Sequence, residues 1–190
     1  MTKSSLAMVI YYSICWKGGV VVRQGIYLDM RTERYILRNC SAQPGELQVF
    51  YLFGKEYILG EEHYYVIRAA MEAENEAFRR GRIQFSYSVR GHLEQLRQEH
   101  FAPLWLVGWA VNQPGHGIYD VQKYWALHDC FFGDCPILMM LDGREDARAM
   151  YFWNGQKLAK QYEYHLFDDP RPKVSQDEVD CYETRCTRIS

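Results

Sequence analysis

Apolar residues in this chain come in short blocks, and the spacing inside each block separates strand from helix. Residues 6–16 form the first block, rich in β-branched and aromatic side chains, and residues 20–22 repeat valine. The Lys17-Gly18-Gly19 turn between them predicts a β-hairpin. Residues 30–40 carry Tyr35, Ile36 and Cys40 near helical spacing until Ser41, Pro44 and Gly45 end the segment, which predicts a short helix. Residues 47–53 form an apolar run closed by Gly54, and Tyr57, Ile58 and Leu59 follow a charged pair; a buried strand, a bend and a second strand are expected. Residues 64–67 add strand, and residues 69–81, acidic then basic, carry no period and read as loop.

From Ser88, a plausible cap, Val89, Leu93 and Leu96 recur at helical spacing among polar residues, so an amphipathic helix runs on until Pro103 stops it. Residues 104–109 read as a buried strand entering a turn at Pro114-Gly115. Asp120 is placed to cap a helix carrying Val121, Tyr124, Trp125 and His128. Residues 137–141, 149–153 and 162–166 read as strands, with hairpin signals at Asp142-Gly143 and Asn154-Gly155. Strands interleaved with helices and hairpins point to an α/β (α+β) fold with a mixed, mostly antiparallel sheet flanked by helices. The aromatics Tyr64, Tyr65, Trp105, Trp109, Trp125, Tyr151 and Trp153 mostly fall at core positions of these elements.

Composition narrows the function. Hydrophobic residues are 48% of the 190 and aromatics 15%, enough for one core and too many for a disordered chain. Lys plus Arg number 22 against 24 Asp plus Glu, so there is no net basic field for phosphates or anionic lipid, and neither nucleic acid nor membrane is an expected partner. Arg79, Arg80 and Arg82 read as a solvated helix end. The first apolar block is too short to span a bilayer and lacks a signal-peptide cleavage pattern, so the expected compartment is the cytoplasm, with reduced thiols at all six cysteines.

The most informative segment is Val107-Gly108-Trp109-Ala110-Val111-Asn112-Gln113-Pro114-Gly115-His116-Gly117. It resembles the zinc motif of the MPN domain family of JAMM-type peptidases, in which a Val-Gly-Trp strand leads into His-Ser-His-Pro-Gly and then a Ser and an Asp. The order of elements from residue 30 to residue 167 resembles that family too. The resemblance implies an MPN or cytidine-deaminase type of architecture over residues 29–167, with residues 1–28 as a hairpin extension and residues 168–190 as a polar tail.

It also implies lost chemistry. The two histidine positions hold Val111 and Gln113, the serine between them is Asn112, and the later Ser and Asp positions hold Val121 and Tyr124. A catalytic zinc takes about three His, Cys or carboxylate ligands and an open site for water, and it lowers that water's pKa to about 7; this set supplies none of those ligands. The general-base glutamate of the family falls on Leu47, with Glu46 one residue off and so on the opposite face of a strand. Other metal readings use His116 and His128 with Asp120 between them, or Cys130 and Cys135 with Cys181 and Cys186; turn, helix-face and buried roles suit these residues better. A thiol hydrolase built on Cys40 or Cys130 with His128 lacks any supporting signature. No cofactor is expected. A non-catalytic scaffold follows, paired with another protein or with itself, and the alternative is a ligand or peptide binder in the vacated cleft or a hydrolase with a rearranged zinc site.

Overall fold

The computed structural model describes residues 13–17, 20–73, 78–79, 82–83 and 85–168. Strand β1 (Ser13–Lys17) turns back antiparallel onto β2 (Val20–Asp29). Asp29 then caps helix α1 (Met30–Ala42), its Oδ1 accepting the Arg31 amide at 2.9 Å. The long hairpin of β3 (Gln48–Leu59) and β4 (Glu62–Glu72) follows, then a short ribbon of β5 (Phe78–Arg79) and β6 (Arg82–Ile83). Helix α2 (Tyr87–Leu96) continues through a π-helical turn at Arg97–Phe101 into β7 (Trp105–Asn112). A 3-10 turn (Gln122–Tyr124) opens α3 (Trp125–Phe132), and β8 (Ile137–Asp142), β9 (Ala147–Trp153), β10 (Leu158–Gln161) and β11 (His165–Phe167) complete the order.

Nine of these strands form one mixed sheet, β1-β2-β4-β3-β7-β8-β9-β10, with β11 added to β2. The pairs β2–β4, β2–β11 and β7–β8 are parallel and the others antiparallel, as the mixed, mostly antiparallel expectation required. The sheet is strongly curled. Gln161 of β10 and His165 of β11 are four residues apart and so no more than about 15 Å apart, whereas seven strand spacings laid flat would separate those edges by roughly 34 Å. Ring centroids of Tyr65 on β4 and Phe152 on β9, with three strands between them, lie 5.4 Å apart. Both rings belong to the concave-face cluster that holds Ile36 and Cys40 of α1. The convex face carries a second cluster, in which Leu93 and Leu96 of α2 and Phe132 of α3 cover Tyr51, Trp109, Leu138 and Tyr151. Helices therefore pack on both faces.

Several expectations need correction. The N-terminal strand pair is no appendage: β2 pairs with β4 from Arg23 to Leu28 and with β11 from Tyr27 to Asp29, inside the main sheet. Residues 6–12 and 169–190 lie outside the described residues. Gly54 does not divide two strands: β3 continues through it, with register shifts against β7 at Leu52/Phe53 and against β4 at Phe53/Gly54. A Cβ there would stand 2.1 Å from the Val66 carbonyl oxygen, so the glycine lets β4 approach. Gly54→Ala is expected to destabilise by about 1–3 kcal/mol in a urea titration, because backbone rather than a side-chain tip would have to move. Ser86, not Ser88, caps α2, accepting the Val89 amide. Asp120 makes no capping hydrogen bond and pairs instead with Lys123 at 3.6 Å. The block read as one strand at residues 162–166 is the link after β10 followed by β11, on opposite edges of the sheet.

Candidate functional site

Val111, Asn112 and Gln113 stand at the C-terminal end of β7; Val121 precedes the 3-10 turn packed against it, and Tyr124 ends that turn. The fold brings Val111, Gln113, Val121 and Tyr124 together on the convex face, and all four are buried. They form a sealed contact, not an open cleft. The Tyr124 hydroxyl donates to Gln113 Oε1 at 2.8 Å, and Gln113 Nε2 donates to the Gly117 carbonyl at 2.5 Å, so both ends of the amide are engaged within the protein. Burial, with the nearby Asp120 charge, raises the Tyr124 phenol and keeps it a neutral donor. Tyr124→Phe is expected to cost about 1–2 kcal/mol, read by chemical denaturation, because Gln113 Oε1 would be buried without its donor.

Asn112 alternates to the concave face. Its Nδ2 donates to Gln48 Oε1 at 3.1 Å and its Oδ1 accepts the Gly143 amide at 3.0 Å; Gln48 Nε2 donates in turn to Glu72 Oε1 and to the Asn39 carbonyl. This amide chain ties β7, β3, β4 and α1 to the β8–β9 turn. Glu46 is exposed in the loop before β3, outside all of these contacts.

Sequence reasoning passed over Asp142, the residue that shapes the loop after β7. Its Oδ1 accepts the Gly115 and Arg144 amides at 2.9 and 3.0 Å, and its Oδ2 accepts the Gly117 amide at 2.7 Å. Burial works to raise this carboxyl, but the backbone donors of Gly115, Gly117, Arg144 and Glu145 together hold it below its ordinary range. Gly115 and Gly117, with φ of 77° and 67°, supply the left-handed turns that aim those amides inward. The available signal was an acid closing the otherwise apolar β8.

The remaining candidates do not converge. His116 and Asp120 are exposed, and Cys130 is exposed on α3, while Cys135 is buried and donates Sγ to the Leu106 carbonyl at 3.3 Å. Burial, followed by the Asp134 charge, pushes the Cys135 thiol up to about 12, and burial does the same for Cys40. Cys181 and Cys186 lie outside the described residues, among which no cluster of three or more His, Cys, Asp or Glu is placed to hold a metal. His128 is fully buried beside Phe132 and Trp153, and its Nδ1 accepts the Trp109 indole N–H at 3.0 Å. Trp105 departs from its expected core position, with 62% of its surface exposed.

Among the described residues, no helix is long and apolar enough to cross a membrane. No protein-family model and no curated protein matches the chain. Its fold is similar to the solution structure of protein DSY2949 from Desulfitobacterium hafniense, with a TM-score of 0.51 at 12% identity over 76% of this chain and 94% of that one.

Proposed function

We propose that the protein is a cytoplasmic, non-catalytic MPN-like domain that serves protein–protein interaction, alone as a homodimer or with a different partner. One observation carries the reading. The frame of the zinc motif, Val107-Gly108-Trp109 and Pro114-Gly115, is kept, while the ligand positions between and after it are occupied by groups that bond to one another: Tyr124 to Gln113, and Gln113 to Gly117. Asn112 and Gln113 still carry amide oxygens of some use to a metal, and those oxygens accept the Gly143 amide and the Tyr124 proton. A catalytic zinc needs ligands with lone pairs to spare and an open position for water. Valine at residues 111 and 121 supplies neither. Shape without ligands favours a surface role, by analogy at the level of fold. The same sealing weighs against a ligand bound in the former cleft, and the scatter of His116, Asp120, Cys130 and Cys135 weighs against a rearranged metal site.

Elemental analysis of the full chain purified from zinc-supplemented medium, with hydrolysis assays on peptide and isopeptide substrates, tests the proposal. Substoichiometric zinc and no turnover are expected. Stoichiometric zinc that disappears with His116→Ala or Asp120→Ala would overturn it.

A further inference from the structure

β3 outruns one of its neighbours. It pairs with β4 as far as Leu59, opposite Glu62, but with β7 only as far as Gly54, opposite Trp105. Residues 55–59 are therefore five residues of strand, about 17 Å long, with no strand beside them on the β7 side among the described residues. Their main-chain N–H and C=O groups on that side are a template for a further strand.

Proline, a bulge or repeated charge ordinarily blunts such an edge. Here Lys55 and Glu56 give way to Tyr57, Ile58 and Leu59, which are 43%, 59% and 67% exposed. Alternation puts Ile58 on the concave face, two residues beyond Glu56 and its partner Tyr65, and puts Tyr57 and Leu59 on the convex face. Apolar surface thus stands on both sides of the open edge. Trp105 extends it on the concave side: Arg97 lies 4.4 Å from the ring centroid, and most of the indole remains in water. A recess of about 700 Å³, bordered by Lys55, Glu56, Pro103 and Trp105, lies where the next strand would run.

The charges distinguish between possible neighbours. The free edge begins at Lys55 and ends in the turn that holds Glu61, and among the described residues neither side chain is paired. Glu56 is already engaged by His63 and Tyr65. A second copy lying parallel would set Lys55 beside Lys55. Lying antiparallel, about a two-fold axis at Tyr57, it sets Lys55 opposite Leu59 and next to the Glu61 turn of the other copy, and the symmetry makes this contact twice. The same axis brings Ile58 of each copy opposite Glu56 of the other, one pleat along the concave face from Trp105.

We propose that the free edge of β3 pairs antiparallel with the same edge of a second copy, joining the two sheets across a two-fold axis at Tyr57. The inference rests on the interaction-module reading, in its homodimer form, and names the surface.

Sedimentation equilibrium of the full chain over roughly 10 µM to 1 mM, the range suited to a small contact, is the test. A reversible monomer–dimer equilibrium is expected. Ile58→Lys, at a position open to solvent in the single chain, is expected to weaken it about tenfold or more. Lys55→Glu and Glu61→Lys are each expected to weaken it about fivefold, and the double exchange to return it to within about twofold of the parent. These side chains lie on the surface, and circular dichroism of each variant is the control for folding. A chain that stays monomeric, a dimer indifferent to Ile58→Lys, an open polymer, or a double exchange no tighter than either single one would each overturn the proposal. None of these results bears on zinc content or hydrolysis, so the paired edge and the non-catalytic reading fail separately.

Discussion

Truncating Trp109 to alanine is expected to remove about 3–5 kcal/mol of unfolding free energy, the range for deleting a fully buried tryptophan whose surroundings cannot collapse into the space. Collapse is blocked on every side. The indole stacks on Phe132 with centroids 5.2 Å apart, and meets Tyr124 and Phe85 edge-on at 5.5 and 5.9 Å. Its backbone lies in β7, between β3 and β8, so neither strand can move inward without breaking its ladder. Trp109→Phe separates packing from hydrogen bonding. It keeps most of the ring but leaves His128 Nδ1 without its donor, so an intermediate loss of about 1–3 kcal/mol is expected. Urea denaturation followed by circular dichroism measures both, and a Trp109→Ala loss under about 1 kcal/mol would contradict the convex core described here.

The second large effect is loss of stability in mild acid. Burial pushes His128 down from 6.5 to about 4, with the Cys135 backbone opposing the shift, and Nδ1 is occupied by the Trp109 proton. The folded state therefore binds a proton more weakly than the unfolded chain. The stabilising contribution is complete above pH 6.5, declines as pH falls through the interval from 6.5 to about 4, and levels off below that, for a total of about 3 kcal/mol. Asp142 acts lower: its depressed carboxyl contributes above its unfolded pKa of 3.8, and that contribution is lost on further acidification. Unfolding free energies across pH 4–7 check the sign, and His128→Gln, which keeps an acceptor for the Trp109 indole without titrating, should flatten the slope. An unchanged slope in that variant would locate the acid sensitivity elsewhere.

Much of the fold was legible because its signals are local. The helical spacing of Ile36 and Cys40, the apolar run at residues 137–141 of β8 and the Asn154-Gly155 turn each announce their element within a few residues. The failures come from contacts between distant residues. Gly54 reads as a breaker until Val66 is known to lie against it, and residues 162–166 read as one strand because a sequence does not say that two edges of a sheet meet there. Trp105 sits in an apolar run, yet β8 begins only opposite Gly108, three residues further along β7, and the ring is left 62% exposed. At the candidate site, the residue types at Val111, Gln113, Val121 and Tyr124 were readable. That Tyr124 and Gln113 close on one another was not, since it depends on the 3-10 turn that lays residues 122–124 against β7.

The link between β10 and β11 has a consequence for how the molecule is made. β2 is among the first strands to leave the ribosome and β11 is the last of the described strands, yet they pair from Tyr27 to Asp29, and Tyr164 in the link donates to Glu33 of α1 at 3.2 Å. The two edges of the curled sheet cannot be fastened until residues 165–167 have been synthesised, and such remote pairings are closed late and slowly. A nascent chain arrested before residue 162 would hold α1 without its Tyr164 contact and β2 without its β11 neighbour, so the sheet stays unfastened until residues 164–167 are translated.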